Sequence, residues 1–301
     1  MIYGVLAYLL WGLMPAFFPL LMPAGPGEIL AHRIVWAGVI MIIVVSLQRG
    51  WGELRHAGVR TWARMSLAGV LIAANWLIYI IAVNSGHVNE AALGYFINPL
   101  LSVLLGVIFF RERLRALQGT AVAIAAVAVL FLTVLGGQPP LIALSLALSF
   151  GFYGLLKKKV TVSAAGSLTA ETLVLAPFAI GYLVWLESTG AGTFFSEGPA
   201  HVGLLVASGL VTAVPLLLFG MGARLMALST IGMLQYLTPT MQMLWAVFVV
   251  NETIPQERWI GFLIIWIAVA IFLLDLVIQR RRRNREVGPV QDAAVSPPLQ
   301  A

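Results

Sequence analysis

Apolar residues in this chain neither alternate nor recur every third or fourth position; they run on continuously for about 20 residues at a time. Such runs occupy 2–22, 29–48, 66–85, 90–110, 117–135, 139–156, 169–187, 202–222, 228–250 and 258–278. A helix rises about 1.5 Å per residue, so each run matches a hydrocarbon core about 30 Å thick. Barrel strands would show short alternating segments instead. The pattern therefore predicts an all-α membrane protein with ten transmembrane helices. The breaks are short and carry Gly, Pro or charge, as in Pro23-Ala24-Gly25-Pro26-Gly27 and Gly136-Gly137-Gln138-Pro139-Pro140, and read as tight extramembrane turns. Run 2–22 has no basic segment before it and no small-residue cleavage site after it, so it reads as a retained helix. The short stretch before Ile2 makes an upstream natural start the expectation.

Composition agrees. The chain is 60% hydrophobic and 10% charged, with a mean hydropathy of +0.97. A soluble domain keeps about a quarter of its residues charged, so an ordinary globular enzyme is excluded. The net charge of +6 would suggest nucleic acid in a soluble protein, but the positions of the charges argue otherwise. Of the 18 Lys and Arg, 16 follow even-numbered runs: Arg49 to Arg64, Arg111 to Arg115, Lys157 to Lys159, Arg224, and Arg280 to Arg285. Basic short loops stay inside, which predicts that both termini are cytoplasmic. Arg33 and Arg258 are the exceptions, at the outer ends of their runs. The final Arg cluster reads as an anchor touching anionic lipid headgroups, with no nucleic-acid partner. Residues 279–301, with Pro289, Pro297 and Pro298, are expected to form a basic, disordered cytoplasmic tail. With no Cys, disulfides and thiolate chemistry are excluded.

The chain also resembles itself. An offset of 140 sets Pro99 on Pro239, Glu112 on Glu252, Phe96 on Tyr236, Tyr79 on Phe219 and Asn89 on Ser229; an offset of 139 sets Trp11-Gly12 on Phe150-Gly151 and His32 on Glu171. This predicts a duplicated five-helix unit, 1–136 and 139–278. Five is odd, so the second copy enters the membrane upside down, the construction from which alternating access is built. The competing account is a duplication that only enlarges a bundle.

Intramembrane polar residues need partners or functions. His32, sharing a face with Glu28 and Trp36, and Glu171, placed near the inner interface, are candidates for a shared central cavity in which one of them couples proton movement. The alternative leaves His32 and Arg33 as interfacial groups satisfied by water and Glu28. The candidate substrate-binding set is Trp11, Asn75, Trp76, Tyr79, Tyr95, Asn98, Gln235 and Tyr236. Pro99 and Pro239 are expected to break their helices at matching places, leaving the carbonyls of Tyr95 and Gln235 without donors. The alternative for Asn98 and Gln235 is interhelical bonding, with Gly86, Gly94 and Gly106 permitting close packing. Asn89 and Glu90 read as interfacial or capping residues, and Asp275 as a salt-bridge partner of Arg280–Arg283.

Some chemistry is missing. The sequence holds no GxxxxGK[ST], no HExxH and no GxSxG serine site around Ser208, and its four His are scattered. No cofactor and no metal site are expected, and transport without ATP hydrolysis is what remains.

The motifs resemble a known family. Glu28, His32-Arg33 and Trp36, Asn75-Trp76 with Tyr79, Leu93-Gly94-Tyr95-Phe96-Ile97-Asn98-Pro99-Leu100 and Glu112-Arg113-Leu114 are similar to those of the RarD subgroup of the EamA family, in the drug/metabolite transporter superfamily. The second half continues the likeness with Ser149-Phe150-Gly151, Tyr153-Gly154, Glu171-Thr172, Arg224, Gln235-Tyr236 and Pro239-Thr240. The resemblance implies a ten-helix permease of the bacterial inner membrane, built of two inverted EamA repeats, and an association with chloramphenicol sensitivity. Superfamily members export drugs, amino acids or other metabolites, often against protons. One departure is the first run, where Pro15 to Pro19, with Phe17 and Phe18, lacks the Lys that often follows in the family. The expectation is a secondary transporter of a small drug-like molecule or metabolite. Membrane lipid surrounds it, protons are the candidate coupling ion and a homodimer is a candidate assembly. Amino-acid export, or a non-transporting receptor or scaffold, are the alternatives.

Overall fold

The computed structural model describes residues 1–85, 87–135, 141–251 and 256–286. Gly86, the turn around Gly136-Gly137, Glu252 and the tail prolines lie outside the described residues, as do the side chains of Asn89 and Arg258.

The chain is all helical. After α1 (Ile2–Gly12) come α2 (Met14–Phe17) and a 3₁₀ turn (Phe18–Leu21), then α3 (Pro26–Leu47), α4 (Trp51–Arg55), α5 (Val59–Asn84), α6 (Val88–Phe110) and α7 (Ala116–Leu135). The second half holds α8 (Leu141–Lys159), α9 (Ala164–Ser188), α10 (Pro199–Leu225), α11 (Leu228–Leu234), α12 (Leu237–Phe248) and α13 (Gln256–Glu286). Among the described residues nine stretches are long and apolar enough to span a bilayer, counting Ile2–Leu21 as one. The tenth apolar run, 228–250, is divided into α11 and α12. Three boundaries differ from the expectation. Pro15 and Pro19 break the first run into short pieces. A short helix, α4, follows α3. α13 continues through the basic cluster to Glu286, so the start of the expected tail is helical.

The packing obeys the sequence repeat. α3 packs on α9 and α10, α5 on α8 and α9, α6 on α8 and α11, α1 on α10 and α12, and α7 on α13. Exchanging the two halves span for span turns this set of pairs into itself. Counterpart helices also cross antiparallel. On α3 and α9, Thr169 Oγ1 donates to the Met41 carbonyl at 3.3 Å, Thr172 lies against Gly38, and Ala179 packs with Ala31 and Ile34. On α6 and the divided span, the Tyr236 hydroxyl donates to the Phe96 carbonyl at 3.1 Å, while Gly232 meets Pro99 and Ser102. On α7 and α13, Leu132 lies against Gly261 and Arg115 reaches Asp275. Phe96 and Tyr236 are themselves partners in the 140-residue offset, so they meet where a pseudo-two-fold axis would pass. The two halves are inverted copies.

The matching helix breaks are not observed. α6 runs unbroken through Pro99, packed along one side by α8, where Gly94 approaches Ala143 and Leu146 and Gly151 approaches Leu101 and Leu105. Only the second copy breaks. There Pro239 cannot donate to the Gln235 carbonyl, and Thr238 N–H takes that place at 3.0 Å, so the acceptor is satisfied by a tighter turn.

The first N–H groups of any helix have no partner within it, and beside lipid they need an acceptor from elsewhere. α11 has Ala227 at its N-cap, with no side chain able to accept. Glu112, from the other half, supplies the acceptor: Oε1 takes the Leu228 N–H at 2.7 Å and Oε2 the Ser229 N–H at 2.9 Å. Arg111, in the left-handed region at φ +52°, ends α6 and turns the chain so that Glu112 folds back beneath Gly106. Lys158 lies 3.3 Å from Oε1 and also donates to the Met226 carbonyl. Burial raises the Glu112 carboxyl, but the Ser229 and Leu228 N–H groups and Lys158 outweigh it and hold it below the usual carboxylate range.

Replacing Glu112 by Ala is expected to cost about 1–2 kcal/mol, read by unfolding in detergent. A carboxyl lowered in the folded state contributes stability above its unfolded value and loses it as pH falls through the folded one. The advantage of the wild type over Glu112→Gln should therefore hold at neutral pH and shrink only below about pH 4. An advantage unchanged in stronger acid would contradict the capping role.

Candidate functional site

The centre of the molecule is where α3 and α5 meet their counterparts α9 and α10. Ile34, Ile72, Trp76, Glu171, Thr172 and Thr212 are among the walls of an enclosed cavity there, of about 10 Å³. That is room for about one water, so this conformation is closed. Each half contributes two helices to it.

Arg33 stands beside this cavity. Its Nε–H donates to Thr212 Oγ1 at 2.8 Å, and Thr212 is the central residue of the 27-residue α10. The guanidinium carbon lies 4.5 Å from the centroid of Trp76 and 5.3 Å from that of Phe18. Tyr79 and Tyr95 meet edge to face at 5.9 Å, with the Tyr95 hydroxyl in electrostatic reach of Arg33. Arg33 is therefore drawn towards the middle of α10 while its side chain stays partly exposed. Glu28, its expected partner, instead accepts the Thr193 N–H at 2.7 Å. The long Arg stem lets the charge reach inward from the outer part of α3, a direction that sequence position does not give.

Glu171 lies two turns inside α9, deeper than expected, because the polar stretch Ser163–Thr169 is an N-cap followed by buried helix. Its Oε1 accepts from Lys157 Nζ at 2.7 Å and from Ser167 Oγ at 2.6 Å, and Oε2 lies 3.3 Å from the Tyr153 hydroxyl. Lys157 and Glu171 are each only 1% exposed in their side chains. Lys157 therefore faces the protein interior, although it belongs to the basic run that marks the inner side. The sequence carried two signals for the cluster, Tyr153 with Lys157 and Ser167 with Glu171, each pair four residues apart on one helix face.

His32 does not join Glu171. Thr169 faces Met41 and Thr172 faces Gly38, so Glu171 is level with residue 39, about 10 Å along the helix from His32. His32 opens instead into an outer cleft of about 360 Å³ formed with Trp36, Leu183, Glu187, Phe194 and Phe195. The ring stacks on Phe194 at 4.7 Å. Its Nδ1 accepts from Trp36 Nε1 at 3.3 Å, leaving Nε2 as a buried donor without a partner.

The other candidates divide. Trp76 lies against Arg33, and Tyr79 and Tyr95 pack on each other. Asn75 is structural, donating to the Leu146 carbonyl and Ser149 Oγ, both at 2.9 Å. Trp11 packs with Tyr8, Phe150 and Phe219 in an aromatic cluster. Tyr236 closes the α6 crossing described above. Asn98 Oδ1 and Gln235 Oε1 are buried acceptors with no partner among the described residues, and the register of that crossing puts them at about one level. Asp275 is bound by Arg115, whose Nε donates at 2.8 Å, while the side chains of Arg280, Arg282 and Arg283 lie outside the described residues. Among the described residues no group of acids and His could hold a metal. Sequence reasoning missed Phe18, Thr212, Lys157 and Phe194 as members of these sites.

The EamA-like transporter family model matches residues 1–134. Protein RarD of Streptomyces exfoliatus is 44% identical over 99% of this chain and 95% of its own. The chain belongs to the EamA-like transporter family. Protein RarD of Escherichia coli (strain K12) is a further EamA relative, 40% identical over 93% of this chain and 95% of its own. A crystal structure at 18% identity has the same fold, with a TM-score of 0.71 over 91% of this chain and 96% of that one. This EamA protein is accordingly a multi-pass membrane transporter of the drug/metabolite superfamily.

A buried ion pair is costly to break and cheaper to replace whole. Glu171→Gln is expected to lose about 3–5 kcal/mol by leaving the Lys157 charge unanswered, and the double variant Lys157→Met, Glu171→Leu less than either single change. Unfolding of purified protein in detergent measures all three, and additive losses would contradict the pairing.

Proposed function

We propose that this protein is a secondary active transporter that moves a small drug-like molecule or metabolite across the bacterial inner membrane by alternating access, with both termini cytoplasmic. The observation that carries the reading is the closed central cavity, walled by two helices from each inverted half. In such an arrangement, rocking one half against the other opens the same cavity first to one side and then to the other. The break between α11 and α12, where three backbone bonds are already of the tighter kind, is a natural place for the second half to bend.

Proton coupling falls to Glu171 and Lys157 in this reading, since Glu171 lines the cavity and the pair is sealed from solvent in the closed form. Opening the cavity brings water to the carboxylate and lets it exchange a proton. His32, in the outer cleft, then acts at the mouth of the pathway.

The purified protein in liposomes, with an imposed pH gradient and a panel of labelled drugs and metabolites, tests both parts. Wild type is expected to give substrate flux that rises at least about tenfold with the gradient. Glu171→Gln should retain exchange at equal pH but lose the response to the gradient. Absence of any flux would sink the transport reading, and gradient-driven flux in Glu171→Gln would sink the coupling assignment alone.

A further inference from the structure

Arg33 carries a charge that nothing in the described structure neutralises. A guanidinium remains protonated in proteins, and Arg33 lies on a spanning helix with its head at the middle of α10. The nearby carboxylates are engaged elsewhere: Glu28 on the Thr193 amide and Glu171 on Lys157 and Ser167. Among the described residues no acid lies within 4.0 Å of Arg33. Thr212 takes the Nε–H, and no described residue accepts from either terminal amino group. The rings of Trp76 and Phe18 lie close to the guanidinium and compensate the charge only in part.

Three other basic side chains pair with acids, one pair deep in the bundle and two at span ends. Lys157 has Glu171, Arg115 has Asp275 and Lys158 has Glu112. Arg33 has no such partner among the described residues and stands at the edge of the central cavity, sharing Trp76 and Thr212 with its wall. Two free, parallel N–H groups on a planar cation match the two oxygens of a carboxylate. Phe18 and Trp76 beside the guanidinium suit a flat apolar body.

We propose that Arg33 anchors the anionic group of the transported molecule, so that the substrate class is a small organic carboxylate with an aromatic or otherwise apolar body. The assignment rests on the transport reading above for the word substrate, but the anion site itself does not. Arg33 fixes the charged end, Trp76 and Phe18 flank it, and Thr212 holds the guanidinium plane. Binding supplies the missing counter-charge, which makes the closed, dry form favourable only when it is loaded.

The test uses the full chain in lipid nanodiscs, titrated with benzoate and indole-3-acetate, their neutral amides, and benzylamine, with binding read by tryptophan fluorescence. The carboxylates are expected to bind at least about tenfold more tightly than the amides, and benzylamine least well. Arg33→Gln should remove the preference for carboxylate over amide, and Arg33→Lys, which keeps the charge but not the planar fork, should retain part of it. Phe18→Ala should weaken acid and amide alike. Equal binding of acid and amide by wild type, no carboxylate binding at all, or a preference surviving in Arg33→Gln would each overturn the proposal. The wild-type ratio decides the matter even if Arg33→Gln does not fold. Counterflow of the same compounds in liposomes separates the two readings: carboxylate binding without flux overturns transport and leaves the anion site, whereas flux without anion preference does the reverse.

Discussion

Lipid offers no hydrogen bonds, and where this chain departs from continuous helix or apolar composition the answer comes from another span. The capping of α11 is the strongest instance. The span that α11 opens begins with amides that Ala227 cannot cap, and Glu112 reaches across from the opposite half to accept two of them. One carboxylate thereby joins α6, α11 and, through Lys158, the end of α8. The start of the divided span is tied to the unbroken helix of the first half.

The same accounting organises the charges. Lys157 and Glu171 remove each other's cost by pairing in a shell of Ser167 and Tyr153. Arg115 and Asp275 do so between the counterpart helices α7 and α13. Once those pairs are set aside, Arg33, His32 Nε2, Asn98 Oδ1 and Gln235 Oε1 remain as polar groups the described protein does not complete. Incomplete groups in a fold that otherwise satisfies its polar atoms mark where something else has to bind or pass.

Much of the fold was legible in the sequence because spans and inversion are linear properties. Run length gives a helix that crosses, an odd number of helices per repeat gives inversion, and Phe96 with Tyr236 even named residues that meet at the crossing. Tyr79 and Tyr95, candidates from separate helices, do meet edge to face, while Trp76 lies on Arg33. Less was legible where direction mattered. Pro99 and Pro239 look alike in sequence, yet only Pro239 sits in a broken span, because α6 is held straight against α8. Lys157 looks like its neighbours Lys158 and Lys159, yet its position on the helix turns it inward to Glu171.

The sequence by itself determined that the solvent is lipid, how many times the chain crosses it and that its halves oppose one another, since these follow from length, hydropathy and parity. The tertiary structure decided which charges are answered and which is left open. Pairing depends on where a side chain's head lies, and for a residue such as Arg33, whose head reaches from the outer part of α3 to the midpoint of α10, that place is fixed only when the helices pack.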